Sequence, residues 1–163
     1  MATKNRNNTN ITVSSAGAIN WPSQPSFFAT LSATQSAVTG DGTAYAVICN
    51  TETRDAAGNY DNATGIFQAP VDGIYRFTFG SAVQGGSAGQ TVATLTLVAT
   101  ARTIYLCKWN QLASLTIRPS GNVYIDMTAG DTIYPVVTVG TGAKNINIIG
   151  TATNTWFCGE LVV

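Results

Sequence analysis

The chain has 163 residues, enough for one domain with a proper core, and its eight Lys and Arg balance eight Asp and Glu to leave no net charge at pH 7. Charged residues make up only 10% of it, against about a quarter in an ordinary soluble domain, and three of them are lysines, so neither a nucleic-acid surface nor a polybasic membrane patch is expected. Histidine is absent, which removes the commonest general base, the commonest zinc ligand and any Ser-His-Asp triad.

Residues 1–26 are polar, with Asn5, Asn7, Asn8 and Asn10 followed by Trp21-Pro22 and Pro25. They read as an arm or linker, extended or disordered when alone. Trp21 is the exception, because an aromatic on a polar arm tends to dock on the domain or on a partner, and it is the candidate anchor. The opening MATKNRNNTN has no apolar run of the signal-peptide kind, so synthesis in a cytosol is the expectation. No stretch approaches the roughly 18 apolar residues that a membrane-spanning helix needs.

From Phe27 to Val163 the apolar period is two almost everywhere. Phe27, Ala29 and Leu31 alternate with Phe28 and Thr30; Tyr75, Phe77 and Phe79 alternate with Ile74, Arg76 and Thr78. Leu95 and Leu97, then Val123, Ile125 and Met127, then Phe157, Gly159 and Leu161 continue the pattern. Turn signals punctuate the runs at Gly40-Asp41-Gly42, Gly58-Asn59, Gly85-Gly86, Pro119-Ser120-Gly121, Gly130-Asp131 and Gly140-Thr141-Gly142. Many short strands with such punctuation predict an all-β sandwich or jelly roll. The composition agrees, since the 24 Thr suit a pleated surface while 16 Gly and 13 Asn suit tight turns.

Two runs are apolar on both faces. In Thr103–Trp109, Ile104 and Leu106 are expected to oppose Tyr105, Cys107 and Trp109; in Ile133–Val139, Ile133, Val137 and Val139 oppose Tyr134 and Val136. A sandwich strand buries one face, so the second needs a cover, such as a neighbouring subunit or a thick layer of loops. Cys49, Cys107 and Cys158 lie far apart, an odd number without a close pair, and are expected to be free thiols.

Residues 55–79 read DAAGNYDNATGIFQAPVDGIYRFTF. Asp55, Tyr60, Phe67, Gly73, Tyr75, Phe77 and Phe79 follow a pattern of Asn or Asp, four residues, an aromatic, six residues, a Phe, five residues, then Gly-x-Tyr-x-Phe-x-aromatic. This resembles the globular head domain of complement component 1q, within the tumour necrosis factor-like superfamily. Pro25–Ser32 is similar to that family's opening strand, Ser120–Tyr134 to its strand, Gly-Asp turn and strand, and Thr155–Val163 to its closing strand. One departure stands upstream, where the pattern has Phe and this chain has Cys49.

The resemblance implies a ten-stranded jelly-roll sandwich that assembles as a homotrimer, with residues 27–163 as the domain. Core or trimer packing then falls to Tyr60, Phe67, Gly73, Tyr75, Phe77, Phe79, Phe157, Gly159 and Leu161. Read without the family, Tyr75, Phe77 and Phe79 form an aromatic ladder on one strand face, for packing inside the chain or between subunits. Gly73 closes the Pro70-Val71-Asp72 turn, where freedom in φ is expected. The resemblance also implies that the two chain ends lie together and leave the opposite face and outer loops for ligands. Calcium binds some members near the threefold axis, and Asp126 and Asp131 are the candidate ligands here; Asp131 in a Gly-Asp turn equally suits local backbone capping. A collagen stalk, common before this head, is not expected, since residues 1–26 hold a single Gly, Gly17.

No residues supply a nucleophile, a base and an orienting group together, so an enzyme is not expected. The reading is a homotrimeric virion structural protein at the particle surface, a capsid decoration, head-fibre knob or receptor-binding tip of a bacteriophage. Residues 1–26 would meet a capsid or tail protein, and the head a host surface glycan or protein. The alternative is an extracellular one, a secreted or surface-attached bacterial lectin-like adhesin using loops such as Thr39–Thr43 and Gly85–Gly89.

Overall fold

The structure is a computed structural model that describes residues 24–163 apart from 88, 89, 91 and 111–113, together with the backbone of two short strands at 12–13 and 19–20. Those strands, β1 (Thr12–Val13) and β2 (Ile19–Asn20), pair antiparallel with each other inside the polar arm. The rest of the chain runs β3 (Ser26–Thr30), β4 (Gln35–Thr39), β5 (Ala44–Ala46), β6 (Thr51–Asp55), β7 (Tyr60–Asp61), β8 (Ile66–Gln68), β9 (Gly73–Gly80) and β10 (Ala82–Gly85). It continues through β11 (Val92–Ala99), β12 (Arg102–Trp109), β13 (Thr116–Ile117), β14 (Ser120–Met127), β15 (Thr132–Gly140), β16 (Ile146–Ile149) and β17 (Trp156–Leu161).

The all-β jelly-roll sandwich expected from the period-two pattern is what forms. One layer is a five-stranded sheet in the order β14-β9-β17-β3-β6; the other follows β12-β11-β15-β8-β7, with β5 also on β15. The short strands β13-β10-β16-β4 make a third sheet, and Val83, Ile146 and Ile148 from it are buried in the same core.

Between the layers lies an aromatic cluster drawn from both sheets. Phe27 of β3 stacks on Tyr60 of β7 at 4.6 Å and on Phe67 of β8 at 5.2 Å, and meets Phe157 of β17 edge-on at 5.0 Å. Phe77 meets Phe67 edge-on at 5.4 Å and stacks on Tyr75 at 6.1 Å, while Phe79 abuts Phe157 at 6.2 Å. Each buried ring contributes about 1.5–3 kcal/mol relative to exposure, and the mixed stacked and edge contacts are the arrangements rings prefer. The two phenol hydroxyls are satisfied: Tyr60 donates to the Cys49 carbonyl at 2.8 Å and Tyr75 to that of Val71 at 2.9 Å. Cys49 itself is fully buried beside this cluster.

One of two open readings is taken and two expectations change at this level. The ladder Tyr75, Phe77 and Phe79 is fully buried within one chain, so it requires no second subunit to cover it. Gly73 does not have a positive φ; its need is space, because a Cβ there would lie 2.6 Å from Leu161 Cδ1 and 2.7 Å from the Val163 carbonyl oxygen. The alternation in Thr103–Trp109 breaks at Leu106, where β12 carries a bulge: Leu95 pairs with Cys107 but Thr96 with Tyr105. One inserted residue turns the following side chains over. Cys107 and Trp109 therefore join Ile104 on the core side, opposite Leu95, Ala93 and Leu97, and of the run's apolar side chains only Tyr105 projects outward, 71% exposed. In β15 the expected alternation is kept, but the outward Val136 is 6% exposed, flanked in the sheet by Ala46 and Thr96.

Asp55, the first residue of the motif, holds the turn that delivers Tyr60 to the core. Its carboxylate accepts from the backbone N–H groups of Gly58, Asn59 and Tyr60 at 3.0–3.2 Å. Asp55→Ala is expected to cost about 1–2 kcal/mol, read as a lower thermal midpoint. Gly159 lies under two rings, and a Cβ there would sit 2.5 Å from Phe77 Cδ1 and 2.8 Å from Phe27 Cε1. Neither ring has room to retreat, so Gly159→Ala is expected to destabilise the fold by about 1–3 kcal/mol in denaturant unfolding. Burial pushes the Cys49 thiol from 9.0 up to about 12. Ionisation is then easier in the unfolded chain, so this thiol's contribution is complete below pH 9 and declines as pH rises toward 12. Iodoacetamide at pH 9 is expected to spare Cys49 in the native protein and alkylate it after denaturation, as peptide mapping would show.

Candidate functional site

The outer face of the five-stranded sheet carries the side chains that alternation turns away from the core. Register sets Ile74 beside Asp126, Arg76 between Tyr124 and Glu160, Thr78 between Asn122 and Cys158, and Trp156 beside Gly80. Phe28 of β3 lies opposite Cys158 and stacks on Trp156 with ring centres 6.2 Å apart and planes 16° from parallel. Gly80 makes room for the indole, since a Cβ would stand 2.8 Å from Trp156 Cε2. Tyr124 is 59% exposed and Ile74 37%. A shallow depression of about 230 Å³ opens among Phe28, Arg54, Arg76, Thr78, Cys158 and Glu160.

Among the rings of this face stand one ion pair and one half-buried thiol. The Arg76–Glu160 pair, 3.8 Å apart and about half exposed, adds little stability on its own but sets a charged mark among rings. Burial raises the Cys158 thiol, partly offset by a hydrogen bond with Thr78, so it stays protonated and a poor nucleophile. Among the described residues no group of three or more Cys, Asp or Glu is placed to hold a metal ion.

The two ends of the sandwich differ. Leu161 donates from its N–H to the Pro25 carbonyl, the Gln24 side chain donates to the Leu161 carbonyl, and Ile74 donates to the Val163 carbonyl. Both ends of the domain thus meet at one pole, together with the turn at Thr128–Asp131. At the opposite pole the buried Gln90 draws loops together. Its amide nitrogen lies within hydrogen-bond distance of the carbonyls of Gly40 and Ala143 and of Asn145 Oδ1, and its Oε1 accepts from the Ser87 N–H. The loop Thr39–Thr43, the segment after Gly85 and the loop 140–145 therefore form one surface.

The residues named from sequence fall in three places. Tyr60, Phe67, Tyr75, Phe77, Phe79 and Phe157 meet in the core, with Gly159 beneath two of the rings and Leu161 half-buried against them. Asp126 is exposed on β14 opposite Ile74, whereas the Asp131 carboxylate accepts from the Thr128 N–H at 2.8 Å and caps its own turn. Trp21 lies outside the described residues, as do Ala88 and Gly89 of the second loop. Sequence reasoning passed over Phe28, Trp156 and Tyr124, although their alternation with core residues was the available signal. Gln90 left no such signal, because a polar residue in a Gly-rich loop looks solvated until the fold closes over it.

Comparison with known proteins places this geometry. The C1q domain family matches residues 26–162. The globular domain of zebrafish complement 1qA is 23% identical with a TM-score of 0.63, covering 86% of this chain and 98% of that one. PRD1 vertex protein P5 is 13% identical with a TM-score of 0.63, covering 94% of this chain and 83% of that one. The Eiger TNF of S. frugiperda is 10% identical with a TM-score of 0.57, covering 86% and 94%. No curated protein matches. With the family pattern spanning nearly the whole of the described sandwich, the chain belongs to the C1q domain family.

Proposed function

We propose that this protein is a non-enzymatic, homotrimeric virion structural module, a capsid decoration, head-fibre knob or receptor-binding tip displayed at the particle surface. The observation that carries this reading is the outer face of the five-stranded sheet, where Phe28 and Trp156 stack and Tyr124 and Ile74 stand exposed around one ion pair. Soluble chains seldom leave such a patch open, and three copies turned toward a shared axis would close it. The likeness to PRD1 vertex protein P5 supports the virion setting. In this reading residues 1–26, with Trp21 as anchor, attach to a capsid or tail protein at the pole where both domain ends meet. The Gln90 pole then faces outward. That same gathering of loops favours the second reading, a secreted or surface-attached bacterial adhesin whose outer pole binds a glycan or protein.

Light scattering decides the assembly: a mass of about 51 kDa, three times 17.0 kDa, is expected, and 17 kDa would remove the proposal. Tyr124→Glu and Ile74→Glu place charges on positions that a single chain leaves exposed. Each is expected to give a folded monomer by the same measurement, with unchanged circular dichroism. Mass spectrometry of purified particles should find the chain in the virion reading and miss it in the adhesin reading.

A further inference from the structure

The other sheet also keeps an open outer face, and its character is different. Around the strand trio β12-β11-β15 a groove of about 370 Å³ is floored by Val98 and Val136, walled by Thr94, Thr103 and Thr138, and bounded by the exposed ring of Tyr105. Among the described residues that line it none is charged. We propose that this groove is a binding site for a neutral oligosaccharide, one sugar ring lying on Tyr105 and its hydroxyls meeting the threonines. The site is separate from the aromatic face assigned to assembly, and it deepens the recognition half of the function proposed above.

The chemistry selects this class of ligand. A threonine hydroxyl both donates and accepts, which matches a sugar hydroxyl that does the same. Strand spacing sets Thr94 and Thr138 about 4.8 Å apart across the sheet, Thr103 stands beside Val98 four residues further along β11, and the valines give an apolar surface for C–H groups. Tyr105 offers a large rigid face at low entropic cost, turned outward by its pairing with Thr96. The volume falls within the range of small-ligand sites, which combine apolar walls with a few placed polar groups. Other occupants fit less well. A peptide lying over the groove would find no free backbone in β11, which is paired on both sides, and could add only at the edge strand β12; the nearest charge is Lys108, paired with Thr94 at one end of the groove. Thr96 also faces the groove, but its hydroxyl is turned to the Val136 carbonyl at 3.3 Å.

The test uses the full chain with cellohexaose, maltohexaose and a mannose hexasaccharide as neutral probes, and a heparin hexasaccharide as the charged one, in titration calorimetry and saturation-transfer NMR. At least one neutral probe is expected to bind and the heparin fragment not to. Tyr105→Ala should weaken binding by about tenfold or more, Tyr105→Phe by no more than about twofold, and Thr103→Val or Thr138→Val by several-fold. Glu52→Gln, exposed on β6 of the other sheet, should leave it unchanged. The proposal is overturned if no neutral probe binds at about 10 mM, if heparin binds better, or if Tyr105→Ala binds as the parent does. Light scattering on Tyr105→Ala separates the two readings: an unchanged mass is expected, while a fall to monomer would assign Tyr105 to the subunit interface and overturn the sugar site.

Discussion

The packing of rings across the two sheets is the interaction on which the rest of this molecule depends. Phe27, Phe77 and Phe157 from the five-stranded sheet interlock with Tyr60 and Phe67 from the other, so neither sheet is buried without its partner. The constraint reaches outward in both directions. Gly159 has to be a glycine because two rings occupy the place of its Cβ. Asp55 has to gather amides because the turn after β6 delivers Tyr60 to the stack. Cys49 sits where the family pattern has a phenylalanine, and its carbonyl is used by the Tyr60 hydroxyl.

Because the rings are satisfied inside one chain, the outer faces are released for other work. The five-stranded sheet keeps aromatic and aliphatic side chains outside, around the Arg76–Glu160 pair, and suits contact with protein. The opposite sheet keeps threonines, valines and one exposed tyrosine, and suits a neutral polar ligand. The poles divide in the same way: one collects both domain ends and the other collects loops around Gln90. In the proposed reading attachment, assembly and recognition would use separate surfaces of one small sandwich, so that a change on one need not disturb the others.

Much of the fold was legible in the order of residues. Period-two alternation in Tyr75, Phe77 and Phe79, and in Phe157, Gly159 and Leu161, marked the inward face, and Gly-Asp and Gly-Gly pairs marked the turns. The same alternation marked Phe28, Trp156 and Tyr124 as outward, yet outwardness alone did not reveal that Phe28 and Trp156 stack. The candidate sites were less legible. Asp131 looked equally suited to a metal and to a turn, and its bond to the Thr128 N–H is a local capping contact that spacing could not distinguish from a ligand role.

What the sequence determined by itself was therefore local: strand periodicity, turn chemistry and the identity of the core rings. Each follows from the two-residue repeat of a strand and from the φ and side-chain preferences of single residues. The tertiary structure decided the bulge at Leu106 that moved Cys107 and Trp109 inward, the crowding that demands Gly73, and the grouping of three loops by Gln90. The bulge depends on how β12 pairs with β11, and the glycine's crowding and the Gln90 contacts on neighbours 50 residues or more apart in the chain, set by the joint packing of the sheets rather than by any one segment.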